Sequence, residues 1–488
     1  MRGAPASGVA SDQAARGGAP ARLARHAAWY GTAGAFGKAA ALLAVPYLTR
    51  QLGPDGYGLA DLATSFAGLL VVVVQFGADI PTMRLAASDP RARRQTYSAY
   101  VLATATTSVL GAAVLLPASG FISDTLWSSP SEGAEAILSL LLVPVSAIQF
   151  ALVNILRFVE RPRTFAVLAA VDLFGQAALA ILFAALGMGA FGVIVGYVVG
   201  STLGLVAAAI AATPYLDRRI QLSLMWLILG EGLPFVPGAA AFLAADGISR
   251  MVAANLVNVA AVGQLALAIR IASVMSLSSL AFQMAWGPYG LALAPGRATS
   301  AVFGRVTLAL IALILIAALG LGSLAPEIAI LIGGDQFAGS AQVVPGLIVS
   351  AGLPAVLYVL ATAAGTVRRG PWVAWSALFG AATQVVSIAL LLPVVGLPGF
   401  AVGAILGRVA SMLVLSRGVV DTARLPTSAV VLLAVAIGAA MWLQTLNADP
   451  AGTLAIRVAV AVLAVIAGGM LLGNWAKRFR APGLGTSY

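Results

Sequence analysis

Long apolar stretches alternate with short polar gaps along the whole chain. A run of about 20 apolar residues crosses the hydrocarbon core as a helix, because a helix satisfies its own backbone hydrogen bonds where no water can. Fourteen such runs are predicted, at 29 to 50, 59 to 79, 97 to 117, 135 to 157, 164 to 187, 190 to 212, 224 to 247, 262 to 283, 303 to 323, 343 to 366, 371 to 393, 399 to 416, 427 to 444 and 454 to 473. Every second gap is basic. These gaps hold Arg84, Arg91, Arg93 and Arg94; Arg157, Arg161 and Arg163; Arg218 and Arg219; Arg297 and Arg305; Arg368 and Arg369; and Arg417 and Arg424. Both tails are basic too, with Arg2, Arg16, Arg22 and Arg25 at one end and Lys477, Arg478 and Arg480 at the other. Basic gaps stay in the cytoplasm, so both termini are expected there and the helix count must be even, which fourteen satisfies. The opposite gaps carry acids: Asp55, Asp124, Glu132, Glu135, Glu327, Asp335 and Asp449.

Composition narrows the function classes. The chain is 60% apolar and 9% charged, and 22 of its 28 Lys and Arg lie in those gaps and tails, so the net charge of +11 follows from topology and anionic-lipid contact, not from nucleic acid. There is no Cys and the one His is His26, which removes disulfides, thiol chemistry and His-based metal sites. No cofactor or metal is expected. Residues 1 to 27, rich in Ala, Gly, Pro and Arg without an apolar core, read as a disordered cytoplasmic tail and not a cleaved signal peptide. Connections of at most about 20 residues are too short for a separate catalytic domain.

A duplication organises the helices. Residues 161 to 204 recur as 368 to 411 at an offset of 207. Gly192, Gly196, Gly200 and Gly204 are matched by Gly399, Gly403, Gly407 and Ser411, and Arg161 by Arg368. Small residues at every fourth position let helix backbones approach, so both series are packing faces. Gly53, Gly56, Tyr57 and Gly58 have a weaker counterpart ending at Gly263, at an offset of 205. The expected fold is an all-α polytopic membrane protein of about 14 transmembrane helices. It comprises two parallel six-helix lobes and two C-terminal helices around a central cavity, an architecture suited to alternating access. The expected divisions are a tail at 1–27, an N-lobe at 28–212, a cytoplasmic linker at 213–223, a C-lobe at 224–416, two further helices within 427–473, and a tail at 474–488.

Several motifs then carry a resemblance. They are Arg50-Gln-Leu-Gly-Pro-Asp-Gly-Tyr-Gly58, the helix ending Phe76-Gly-Ala-Asp79 with Arg84, Gly232-Leu-Pro-Phe-Val-Pro237, Asp246 with Arg250, and Trp286-Gly-Pro288. In this order over nearly the whole chain they resemble the bacterial polysaccharide flippases of the multidrug/oligosaccharidyl-lipid/polysaccharide exporter superfamily, relatives of the lipid II flippases. The resemblance implies a transporter that breaks no bond. It would move an undecaprenyl-diphosphate-linked oligosaccharide across the bacterial cytoplasmic membrane for cell-surface polysaccharide or cell-wall assembly. The implied partners are that lipid-linked oligosaccharide and membrane lipids, with the chain acting as a monomer alongside polysaccharide assembly enzymes.

Charge inside the membrane marks the candidate site, since each costs about 2.5 to 3.5 kcal/mol on insertion scales. Lys38 shares a stripe with Gly31, Gly34 and Ala41 and either meets substrate or snorkels to the interface. Arg270 lies near the middle of the eighth segment with Ser273 one turn on, and Arg408 follows the glycine series of the twelfth, where the sixth has Ser201. A diphosphate suits both cations, Arg with its planar donor fork and Lys with its compact charge. Lys38 and Arg270 are expected to meet it from opposite lobes, as cations of the first and eighth helices do in the resembling lipid II flippases, with Arg408 secondary. Asp172 and Gln176, four apart, either bind sugar hydroxyls or make a structural bond to a neighbouring helix. Asp61 is placed to pair with Lys38 in an empty cavity, and Asp246 with Arg250 as an i,i+4 salt bridge. Glu231, Pro234 and Pro237 mark a kinkable seventh segment, a candidate gate. Asp61, Asp172 and Glu231 are the titratable groups placed for ion coupling, which a membrane potential acting on the anion would not need. A cation-coupled multidrug exporter remains the alternative, with Asp61 and Asp172 in its favour. A membrane glycosyltransferase or polymerase is disfavoured by short, sparsely charged outer loops.

Overall fold

The computed structural model describes residues 43–126, 133–219, 221–292, 297–366, 369–419 and 426–480. The tail at 1–27, Lys38 with its small-residue stripe, Arg368 and Arg424 lie outside the described residues. Among those described, structure is helical with no strand. The longer helices are α1 (residues 43–74), α2 (Asp79–Ser88), α3 (Arg93–Leu115), α5 (Ala134–Phe158), α6 (Pro162–Ala185), α7 (Gly189–Ala212), α8 (Leu222–Gly232) and α9 (Val236–Leu256). Then come α10 (Val259–Ala292), α11 (Arg297–Ser323), α12 (Ala325–Gly333), α13 (Val344–Thr366), α14 (Gly370–Val395), α15 (Leu397–Gly418), α16 (Thr427–Leu446) and α17 (Leu454–Arg480). A single turn, α4 (Ser119–Phe121), follows α3.

Eleven helices among the described residues are long and apolar enough to cross a membrane, the first of them the 46-residue run Leu43–Ser88. The chain is a multi-pass membrane protein. The run Leu43–Ser88 contains the second predicted segment and the end of the first, which meet at Gly53, where φ is +66°. A left-handed residue there turns the chain without a loop, and glycine adopts it at no steric cost. The seventh predicted segment is broken as its prolines suggest: α8 ends at Gly232, a 3₁₀ turn spans Leu233–Phe235, and α9 follows. Elsewhere proline starts helices, as in α6, α14 and α15, where its missing N–H has no helical acceptor to lose.

The helices pack as two groups. In the first, α7 packs on α5 and α6, and α5 on α3; in the second, α14 packs on α9 and α15, α10 on α13, and α13 on α11 and α15. The glycine series are the seams expected of them. A Cβ at Gly196 would strike the backbone of Ala180, and one at Gly200 that of Gln176, both on α6. In the second group a Cβ at Gly403 would strike Ile388 and one at Gly407 would strike Gln384, both on α14. Helices α16 and α17 lie against α11, outside the two groups. They are clipped there by Arg457, 1% exposed, whose Nη1 and Nη2 each bond Glu327 at 2.8 Å and also reach the carbonyls of Ser323 and Pro450.

Candidate functional site

Two contacts between the groups close the molecule at opposite ends. At the end bearing the acidic gaps, a Cβ on Gly58 would collide with the carbonyl of Val259 and the nitrogen of Gly263, and one on Gly263 with the carbonyl of Pro54. Gly58 and Gly263 are the paired positions of the weaker repeat. Around this seal Arg50 Nη2 donates to Leu331 O at 2.8 Å, Thr49 Oγ1 to Ile332 O at 3.2 Å, and Gln264 Nε2 to Gln336 O at 2.6 Å. At the basic end Gly232 abuts the Phe76 carbonyl and the Gly77–Ala78 backbone, and Arg84 forms an ion pair with Glu231. Phe76 holds φ +50° and Gly77 φ +59°. A non-glycine residue in that region stores backbone strain, at the turn between α1 and α2.

Between the two seals lie two cavities. The first, about 310 Å³, is enclosed by α1, α5, α6 and α7 and lined by Thr64, Ser146, Gln176, Tyr197 and Ser201. Its cation comes from the other group: Arg270 of α10 reaches in beside Tyr57 and Tyr197. None of the described carboxylates comes within ion-pair distance of Arg270; the phenols of Tyr57 and Tyr197 lie within hydrogen-bonding reach of its guanidinium, and Asp61 is near enough for its charge to act on it. The second cavity, about 260 Å³, is enclosed by α9, α10, α13 and α15 and lined by Asp246, Arg250, Ser273, Ser276, Ser350 and Arg408. Here the guanidinium of Arg408 lies over the Phe242 ring, 3.7 Å from its centroid, and Nη2 is 3.7 Å from Asp246 Oδ2. Gln384 Nε2 donates to the other oxygen of Asp246 at 2.7 Å.

The predicted residues divide accordingly. Arg270 and Gln176 face the first cavity; Arg408, Asp246 and Arg250 face the second. The local salt bridge expected between Asp246 and Arg250 is not formed. Arg250 Nε instead meets Asp61 Oδ2 across the lobes at 3.0 Å, and its Nη1 reaches only the backbone carbonyl of Asp246 at 3.5 Å. Helical spacing brings i and i+4 side chains near each other, but a carboxylate from another helix overrides it when burial makes that pairing stronger. Asp61 is therefore engaged within the described residues, whatever Lys38 does. Asp172 turns from the first cavity: it accepts from Gln176 Nε2 at 2.7 Å and sits with Gln149 where a Cβ on Gly204 would be. Pro234 lies in the turn between α8 and α9 and Pro237 in the first turn of α9, close in sequence to Glu231 at the end of α8.

Sequence reasoning missed three participants. Tyr197 is the one aromatic hydroxyl of α7, whose other polar side chains are Ser201 and Thr202. Phe242 offers nothing distinctive among apolar neighbours. Arg457 breaks the positive-inside pattern by lying at the acidic end, and that exception is its signal, because such a cation needs a partner. Among the described residues no cluster of three metal-ligating groups occurs.

Comparison with known proteins agrees with this architecture. Residues 23–290 match the family described as polysaccharide biosynthesis protein. No curated protein matches the chain. Among solved structures the chain is similar to the lipid II flippase MurJ in an inward closed conformation, with a TM-score of 0.69, 12% identity, and coverage of 91% of this chain and 99% of that one. It is also similar to a mutant of the Vibrio cholerae MATE transporter VcmN, with a TM-score of 0.57, 16% identity, and coverage of 81% and 96%. An outward-facing multidrug resistance MATE family transporter of the MOP superfamily gives a TM-score of 0.56, 16% identity, and coverage of 81% and 94%. At these identities the likeness is one of fold.

Proposed function

We propose, from the premise that the chain belongs to the polysaccharide biosynthesis protein family, that it is a flippase for an undecaprenyl-diphosphate-linked oligosaccharide. It carries this lipid from the cytoplasmic to the outer leaflet of the bacterial cytoplasmic membrane. One observation carries the reading: Arg270 enters a cavity formed by the opposite lobe with two phenols at its side and, among the described residues, no carboxylate within ion-pair distance, Asp61 acting on it only from further away. A buried arginine is ordinarily neutralised by an acid, and one that is not presents its donor fork to an incoming anion. The diphosphate between sugar and polyprenyl chain is such an anion. Gln176, Ser146, Ser201 and Thr64 offer hydrogen bonds to it or to sugar hydroxyls.

Transport follows from the two seals. With the Gly232 contact parted, the diphosphate enters from the basic face and is held by Arg270, with Lys38 meeting it from the first helix. Parting the Gly58–Gly263 contact then releases it on the other face. Arg408 is secondary, being already stacked on Phe242 and close to Asp246. Asp61 and Arg250 tie the lobes together and act in gating, as do Glu231 with Arg84 and the break at Pro234 and Pro237.

The test is the lipid extract of cells lacking the protein. The expected result is lipid-diphosphate-linked oligosaccharide retained on the cytoplasmic leaflet, cleared by the wild-type chain and not by Arg270→Ala at equal protein level. A normal lipid pool accompanied by retention of cationic dyes would replace this reading with that of a multidrug exporter.

A further inference from the structure

A third cavity, about 540 Å³, opens at the basic end of the first lobe, away from both cavities between the seals. Arg93 and Arg94 line it from the start of α3, Phe158 and Glu160 from the end of α5, and Tyr215 from the turn after α7. Two cations thus face one carboxylate. The floor is prebuilt: Tyr97 stacks on Phe158 with ring centroids 6.2 Å apart, and the Arg157 guanidinium lies over the Phe158 ring, 5.7 Å from its centroid. The walls are fixed as well. Arg93 Nε donates to Ala86 O at 3.0 Å, which aims its guanidinium along the cavity wall. Ser98 Oγ accepts from Asp217 N at 2.8 Å and donates to Asp217 O at 2.9 Å, pinning the segment after α7 to α3.

Position identifies the occupant. Helices α3, α5 and α7 are each long and apolar enough to cross a membrane, and the cavity lies at their ends, where the headgroups of a membrane they span would begin. Beside it α2 exposes Ile80 and Met83, 43% and 55% accessible, as an apolar flank against which an acyl chain can lie. Arginine pairs above aromatic rings suit a phosphodiester, which takes donors on its oxygens while its glycerol backbone rests on the rings. We propose that this cavity is a site for an anionic glycerophospholipid of the adjoining leaflet, holding its phosphate with Arg93 and Arg94. The lipid bridges α2, α3, α5 and α7, and its site is independent of the transported substrate.

The full chain in nanodiscs of mixed phosphatidylcholine and phosphatidylglycerol, released into native mass spectrometry, reads the lipid that stays bound. The wild-type protein should keep one phosphatidylglycerol in preference to phosphatidylcholine. Arg93→Gln with Arg94→Gln should lower that occupancy about tenfold, while Arg305→Gln with Arg417→Gln, on the same basic face of the other lobe, should leave it unchanged. Should the loss of the Arg93 bond to Ala86 impair folding, Arg94→Gln alone must show the same direction of change. Equal retention in the cavity variant, or equal loss in the control pair, overturns the proposal. So does preferential capture of inorganic phosphate added to phosphatidylcholine nanodiscs, which would make the ligand a soluble phosphate.

Discussion

The two cavities occupy matching places in the two halves, yet they hold charge in opposite ways. In the second every described cation has a partner: Arg408 lies on Phe242 and near Asp246, which also takes a bond from Gln384, and Arg250 pairs with Asp61 of the other lobe. The first has a cation supplied by the other lobe and, among the described residues, no carboxylate paired with it. An arginine already stacked and near an acid has little left for a ligand, because a ligand must displace what it has. One cavity therefore holds a cation with no described acid in ion-pair distance, and the other holds cations that are already partnered. The bracing agrees with this division, since α16 and α17 lie against α11 in the second lobe.

The sharpest way to break the comparison is to remove each cation by a volume-conserving change. Arg270→Met should lower transport at least about 100-fold, the value of a lost charge-assisted contact to a diphosphate, while Arg408→Met should lower it about tenfold or less. Accumulated lipid-linked oligosaccharide per unit of protein measures both. Equal losses would mean that the second cavity also handles the anion.

The next effect is on the tie between the lobes. Asp61→Asn leaves Arg250, whose side chain is 15% accessible, without its ion pair, and should destabilise the closed state by about 2 kcal/mol. Since the chain contains no Cys, Thr64→Cys would carry its sole thiol, inside the first cavity. Labelling of that thiol by a membrane-impermeant maleimide should rise in the Asp61→Asn background. Asp246→Asn should leave it near the starting rate, because Asp246 belongs to the second lobe and makes no contact across the seal.

Much of this was legible in the chain, and the limits have physical causes. The apolar runs and the glycine series describe helices and their seams because burial in lipid constrains every residue along a helix. Arg270 was legible because a charge at bilayer depth costs several kcal/mol and so needs a purpose. Its phenolic neighbours were not, since Tyr57 and Tyr197 are 140 residues apart and only the packing of α1 against α7 brings them to one guanidinium. Partner choice failed for the same reason: spacing pairs Arg250 with Asp246, and the fold pairs it with Asp61.

The smallest effects test whether the brace belongs to the second lobe alone. Glu327 lies on α12, outside the membrane-crossing helices, and its side chain is half exposed. Burial pushes its pKa up, but the hydrogen bonds from Arg457, a backbone hydrogen bond and the Arg457 charge together hold it below the usual carboxylate value. A carboxylate with a lowered folded pKa contributes stability that is present above its unfolded pKa and is lost as pH falls through the folded value. The docking of α17 should therefore weaken only below about pH 4, the ordinary range of a glutamate. Glu327→Gln keeps one acceptor for Arg457 but not the charge, and should cost about 1 kcal/mol and abolish that acid dependence. Hydrogen exchange of α17 against that of α7 reads the difference: only α17 should lose protection on acidification, and only in the wild-type chain. Parallel loss in both helices would show that the acid effect is global and that the brace does not act locally.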